Sequence, residues 1–222
     1  MRLSSLVRLT AAVTMLVTPA IARAQFVVYT DLAAFLAATT GAGTDRFDDL
    51  AIGAAPSSPL ARSAGAFGYT ATVNTTTLFG AGAGADHWLS ANTSTDIISF
   101  SGFSTGVRGV GGFFFGSDVA GAFRPTTSVI VRATNAGGTT TRTLLDTTLG
   151  TFLGFVSASD IFSLTVESVL PATGFAWPTV NDFVLARAPV GNVVPEPSTF
   201  LLTGTGILVL VVSVMHRRRR NS

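Results

Sequence analysis

The chain of 222 residues contains no cysteine and no lysine. Without thiols there is no disulfide, thiolate zinc site, iron–sulfur cluster or cysteine nucleophile. Without lysine there is no Schiff-base amine and no P-loop cation. Charge of either sign is scarce, at 12% of residues, and there are only two histidines. Glutamate occurs only at positions 167 and 196, so any carboxylate pair must be built mainly from aspartate. What is abundant is apolar: 47% hydrophobic residues, 17 Phe among them, with 23 Gly. That composition is too apolar and too weakly charged for a disordered chain, and the length fits one domain plus processing segments.

The net +2 and the pI near 9.9 suggest an anionic partner until the charge is placed. Residues 1–24 carry three Arg, and the last 28 residues carry four Arg against Glu196. Residues 25–194 hold seven Arg against eleven acids, a net of −4. The basic pI belongs to the two ends, and no nucleic-acid partner is expected.

Both ends read as addresses. Arg2 and Arg8 precede a short apolar stretch, and Ala22-Arg23-Ala24 supplies the small residues that flank a cleavage. Residues 1–24 are therefore expected to be a signal peptide cut after Ala24, which brings in the Sec translocon and signal peptidase as partners. At the other end, residues 191–222 have three parts. Val194-Pro195-Glu196-Pro197 comes first, then an uncharged apolar segment over 198–216, then Arg217, Arg218, Arg219 and Arg220. The segment has nearly the length a transmembrane helix needs, and the four Arg are expected to stop transfer and stay cytoplasmic.

This order of motif, apolar helix and terminal Arg cluster resembles the PEP-CTERM sorting signal of Gram-negative bacteria. The resemblance covers only the last residues, from Val194 onward. It implies recognition by a membrane-embedded exosortase and cleavage near Pro195-Glu196-Pro197. It further implies an inner-membrane intermediate with a periplasmic body and a cytoplasmic C-terminus, then delivery to the cell surface or extracellular matrix. Such residence is usually linked to exopolysaccharide and biofilm formation.

Between the ends, residues 25–190 show period-2 patterns broken by turn signals. Ile161–Val169 alternates with Phe162, Leu164 and Val166 on the side expected to be buried. Phe67, Tyr69, Ala71 and Val73 alternate in the same way, and Asn135-Ala136-Gly137-Gly138 predicts a hairpin turn. Further strands are expected at 26–29, 96–100, 107–115, 151–156 and 182–187. One helix is expected over 31–39, capped by Thr30, with Leu32, Phe35 and Leu36 on one face. Gly80–Gly84 reads as a flexible loop. The expected fold is all-β: an antiparallel, jelly-roll-like β-sandwich with one short N-terminal helix, followed by the C-terminal transmembrane helix.

Chemistry in the body is sparse. His87, in Asp86-His87-Trp88, has no Gly-x-Ser-x-Gly elbow to serve. Asp48 and Asp49, read as strand neighbours, point to opposite faces and cannot flank one glycosidic bond. No catalytic residue, and no enzyme, is expected. Asp48 and Asp182 offer hard oxygen ligands for a structural Ca²⁺, with turn capping as the competing role that stands ahead of it. Trp88 and Trp177 are expected in loops, where exposed rings stack on sugars; core packing is the alternative for any aromatic here. The stretch from Gly154-Phe155 to Asn181-Asp182-Phe183 resembles other exported bacterial sandwich domains, carbohydrate-binding ones included. The expected function is non-catalytic adhesion or exopolysaccharide association. A secreted hydrolase of matrix polysaccharide and a purely structural matrix component are the alternatives.

Overall fold

A computed structural model describes residues 26–75 and 77–189. The expected signal peptide with Ala22 and Ala24, the Val194–Pro197 motif, the apolar segment 198–216 and Arg217–Arg220 lie outside the described residues. Among the described residues no helix is long and apolar enough to cross a membrane.

In chain order the elements are β1 (Phe26–Tyr29), α1 (Leu32–Ala37), β2 (Thr40–Asp45), β3 (Leu60–Ala64), β4 (Phe67–Thr72), β5 (Leu78–Ala83) and β6 (Asp86–Ala91). There follow β7 (Ile97–Ser101), β8 (Gly109–Ser117), β9 (Thr127–Asn135), β10 (Gly138–Thr147), β11 (Phe152–Ser157), β12 (Ile161–Val169) and β13 (Trp177–Arg187). Apart from α1, the described residues form an all-β fold of two antiparallel sheets. One has the order β1-β11-β8-β13-β6-β5, with β2 also on β13; the other runs β10-β9-β12-β7-β4-β3.

The inward faces of the two sheets share one core. Phe114, Phe155 and Phe183 from the first sheet meet Phe100, Val131, Leu164 and Val166 from the second. The Phe100 and Phe183 rings stack with centroids 4.2 Å apart. Two strands run through the centre of the seven-stranded sheet with apolar residues on both sides, so its outer face also needs cover. On one half, α1 lays the fully buried Phe35 against Phe152, 5.6 Å between centroids. Burial on that scale contributes about 1.5–3 kcal/mol per large side chain. A Cβ at Gly154 would come within 2.4 Å of the Phe35 ring, so the glycine is what lets the helix sit so close. On the other half, Trp88 packs edge-on against Phe115 at 4.9 Å, and Phe123 from the β8–β9 connection closes over it.

Several expectations need correction. The helix cap is Asp31, whose Oδ1 accepts the Ala34 N–H at 2.8 Å, and not Thr30. Leu36 faces solvent. Phe162 is the extra residue of a β-bulge between Ile161 and Ser163. A bulge reverses the side to which a strand's residues point, so Phe162 is 54% exposed and Ile161 takes the core position. Gly80–Gly84 is no loop: most of it is β5, whose outer edge carries the 51–57 segment through Gly53 N–H to Gly80 O and Gly80 N–H to Ala54 O, both 2.8 Å. A Cβ at Gly80 would lie 2.2 Å from the Ala51 carbonyl oxygen, which accounts for the glycine.

Candidate functional site

The antiparallel order puts the β6–β7, β8–β9, β10–β11 and β12–β13 connections at one end of the two sheets. This end collects exposed apolar side chains: Val119, Leu149, Leu170 and Phe175, with Phe175 58% exposed. Trp177 opens β13 instead of lying in a loop. Its ring is half-buried, its Nε1 donates to the Asn92 carbonyl at 3.4 Å, and it stands edge-on to Phe175 with centroids 6.3 Å apart. The pair is held by Arg124, whose guanidinium donates to the Phe175 carbonyl and, at 2.9 Å, to the Thr173 carbonyl. Gly174, at φ +74°, makes the turn beneath that guanidinium. A charge-assisted clamp of this kind fixes the loop before any ligand arrives, which lowers the ordering cost of binding. No sequence pattern tied Arg124 to Phe175, 51 residues away.

Trp88 differs from the expectation altogether. It lies within β6 and is fully buried, with no hydrogen-bond partner for Nε1 among the described residues. The reason is the outer face of the seven-stranded sheet, which is closed over by the β8–β9 connection, so Trp88 is core and has no ring face to offer.

A second cluster forms where β13 changes partners. Its free edge pairs with β6 at Thr179–Val180 and with β2 at Phe183–Arg187. At the changeover the register to β8 shifts between Asn181 and Val184, and Asp182 adopts φ +45°. Asp182 is thus in the middle of the last strand and not at its start. Burial pushes its carboxyl above the usual range; Arg46 opposes this, and Asp86 and Asp48 reinforce it. Asn181 Nδ2 donates to Asp86 Oδ1 at 3.1 Å. The structure therefore brings Asp48 and Asp182 within electrostatic reach, though Asp48 and Asp49 sit in a turn and not in a strand. Among the described residues no three His, Asp or Glu side chains are grouped so as to hold a metal ion. His87 belongs to the same neighbourhood, with Nδ1 donating to the Leu50 carbonyl at 2.6 Å.

Asp49 instead joins a buried ion pair that sequence reasoning missed. Arg62, with a side chain 8% exposed, grips Asp45 through Nε–Oδ2 and Nη2–Oδ1, both 2.7 Å. It reaches Asp49 through Nη2–Oδ1 at 2.7 Å and Nη1–Oδ2 at 2.9 Å. Asp45 also accepts from the Tyr69 hydroxyl at 2.7 Å and the Phe47 N–H at 3.0 Å. Burial pulls the Arg62 guanidinium down, and the bonds to Asp45 and Asp49 outweigh it, so its net shift is upward. Burial and the Asp45 charge push the Tyr69 hydroxyl up. The Arg62 hydrogen bond holds Asp49 below its usual value. The neighbouring depression, about 520 Å³, is shallow and lined by these same paired groups. Its polar atoms are already committed to one another, which makes it a structural joint between β2 and β3.

No known family matches the chain, and no curated protein or solved structure does either.

Proposed function

We propose that the chain is an exported cell-surface or matrix protein that binds neutral exopolysaccharide without catalysis. The observation that carries this reading is the Phe175–Trp177 pair at the loop end, Phe175 exposed and Trp177 half-buried, clamped by Arg124. Sugar rings present C–H faces to aromatic side chains and hydroxyls to the polar groups around them, and loops on a rigid scaffold are where such sites collect. The −4 of residues 25–194 favours a neutral polymer over an acidic one.

The fold belongs to the same reading. Strands β6 to β13 lie in the orders β11-β8-β13-β6 and β10-β9-β12-β7, which supports a jelly-roll sandwich to which β1–β5 are added at the edges. The ends support an exosortase substrate: a signal peptide to Ala24, a sorting motif at Val194–Pro197, a transmembrane helix over 198–216 and a cytoplasmic Arg217–Arg220 stop. Asp48 and Asp182 are the pair that would hold a structural Ca²⁺, and added chelator would then lower the melting temperature. The hydrolase alternative draws on the same corner and requires Asp48→Ala or His87→Ala to abolish turnover of a glycan.

The test is a glycan array probed with the compact unit Arg23–Pro195, repeated with Trp177→Ala and Phe175→Ala. Neutral glycans should be retained by the parent and lost, at least tenfold in affinity, by both variants. Undiminished binding by both variants would overturn the site.

A further inference from the structure

Beside β2, which pairs only with β13 and is interrupted by a bulge, the two sheets have four outer edges, and three are guarded. β5 is covered by the hydrogen-bonded 51–57 segment. β3 follows Pro59 and sends Arg62 inward to Asp45. β1 is only four residues long. The fourth edge, β10, has ten residues, Gly138–Thr147, and among the described residues no strand pairs with its outer side. Natural edge strands are usually blunted by shortness, charged side chains, proline, bulges or a covering segment. Over Gly138–Leu144, where β10 pairs with β9 in unbroken register, it carries only one of these, the charge of Arg142 opposite the core residue Val131. That run is Gly-Thr-Thr-Thr-Arg-Thr-Leu, rich in β-branched residues and with one charge.

We infer that β10 is an interface that pairs antiparallel with β10 of a second copy of this chain. The sequence is self-complementary in one register. A two-fold axis normal to the sheet must keep each residue's facing, so residues pair only with residues of the same facing. Centring that axis on Thr141 uses the whole regular run. Thr141 meets Thr141 of the second copy, Thr139 meets Thr143, Thr140 meets Arg142, and Gly138 meets Leu144. Cross-strand threonine pairs are favourable. Moving the axis one residue on sets Arg142 against Arg142 of the second copy, which like-charge repulsion disfavours. The six-stranded sheet would continue into its copy as a sheet of twelve. Because the contact is isologous, each edge is used once and the assembly closes as a dimer instead of growing into a fibre. Antiparallel pairing points the loop ends of the two copies in opposite directions, so the dimer is independent of the proposed glycan site and of that reading.

The absence of cysteine gives a clean test in the full chain, exported to an oxidising compartment and resolved on non-reducing gels. Opposed residues in an antiparallel pair have Cα atoms about 4.5–5.5 Å apart, within disulfide range. Thr141→Cys should run mainly as a cross-linked dimer, and Ala85→Cys, exposed in the β5–β6 turn of the other sheet, should stay monomeric. Co-expressed Thr139→Cys and Thr143→Cys chains should link to each other in preference to themselves. Adding Thr141→Glu to both should cut that yield at least fivefold. Cross-linking of Thr141→Cys no greater than that of Ala85→Cys, or equal self- and cross-linking of the mixed pair, would overturn the inference.

Discussion

Asp45→Asn and Asp49→Asn each take one carboxylate from the same guanidinium, yet their costs should differ several-fold. The Asp45 side chain is 5% exposed, whereas that of Asp49 is 68% exposed. Asp45 accepts four hydrogen bonds, two from Arg62 and one each from Tyr69 and Phe47. An amide in its place turns a donor toward a donor and leaves a buried guanidinium short of charge. Breaking a buried pair from one side costs about 3–5 kcal/mol, and losing an exposed partner about 0–1 kcal/mol. For a domain of this size about 1 kcal/mol moves Tm by about 2–4 °C, so Asp45→Asn should lower it by roughly 6–20 °C and Asp49→Asn by less than about 4 °C. Thermal unfolding followed by circular dichroism, with urea curves to confirm an unchanged m-value, reads both. Adding Arg62→Met to Asp45→Asn should cost less than the two single changes together, since the stranded cation is removed. Equal shifts for the two Asn variants would refute the account of Asp45 as the buried anchor.

Asp49 also fixes a pH dependence. Its folded value is depressed by Arg62, so its stabilisation is present above the unfolded value of about 3.9 and is lost as pH falls through the folded one; Asp49→Asn should flatten the acid limb of stability. Asp182 has the opposite sign: its raised value means the charged form is disfavoured in the fold, so Asp182→Asn should raise Tm at pH 7 and have no such effect at pH 3. Asn also tolerates the φ of +45° there. Gly80→Ala should cost about 1–3 kcal/mol by forcing the 51–57 segment off β5, visible as a lower urea midpoint and increased aggregation. Trp88→Ala should lose about 3–5 kcal/mol, as expected for a core ring, whereas Trp177→Ala leaves Tm nearly unchanged. Mass spectrometry of the surface form should find Gln25 at its N-terminus and a C-terminus near Pro195–Pro197.

The strands legible in the sequence were β4 and β12 with their alternating apolar residues, β1, β7, β8, β11 and the second half of β13, and the β9–β10 hairpin, whose two-residue loop Ala136-Gly137 is closed by Asn135 Oδ1 on the Gly137 N–H. β2, β3, β5 and β6 escaped because their positions are filled by Gly, Ala, Ser and Thr, or are apolar on both faces. In β5 and β2 the small residues answer to backbone passing overhead, as at Gly80 and at Gly43, where a Cβ would lie 2.2 Å from the Ala64 carbonyl oxygen. That is a tertiary constraint with no local signature. Phe113, Phe114 and Phe115 alternate sides along β8, so both of its faces need cover, and nothing local in the sequence says what supplies it. Trp88 and Trp177 carried the same sequence expectation and parted because one faces the covered side of the sheet and the other its open end. The Asp45–Arg62–Tyr69 joint joins residues far apart in the chain, and sequence alone gave Arg62 no partner.

The binding measurement on Arg23–Pro195 against immobilised neutral glycans, run in parallel with Trp177→Ala, tests the central claim most directly. The account predicts retention by the parent, at least a tenfold loss in the variant at unchanged Tm, and no turnover of the glycan. Retention unchanged by Trp177→Ala, or release of shortened glycan by the parent, would contradict it.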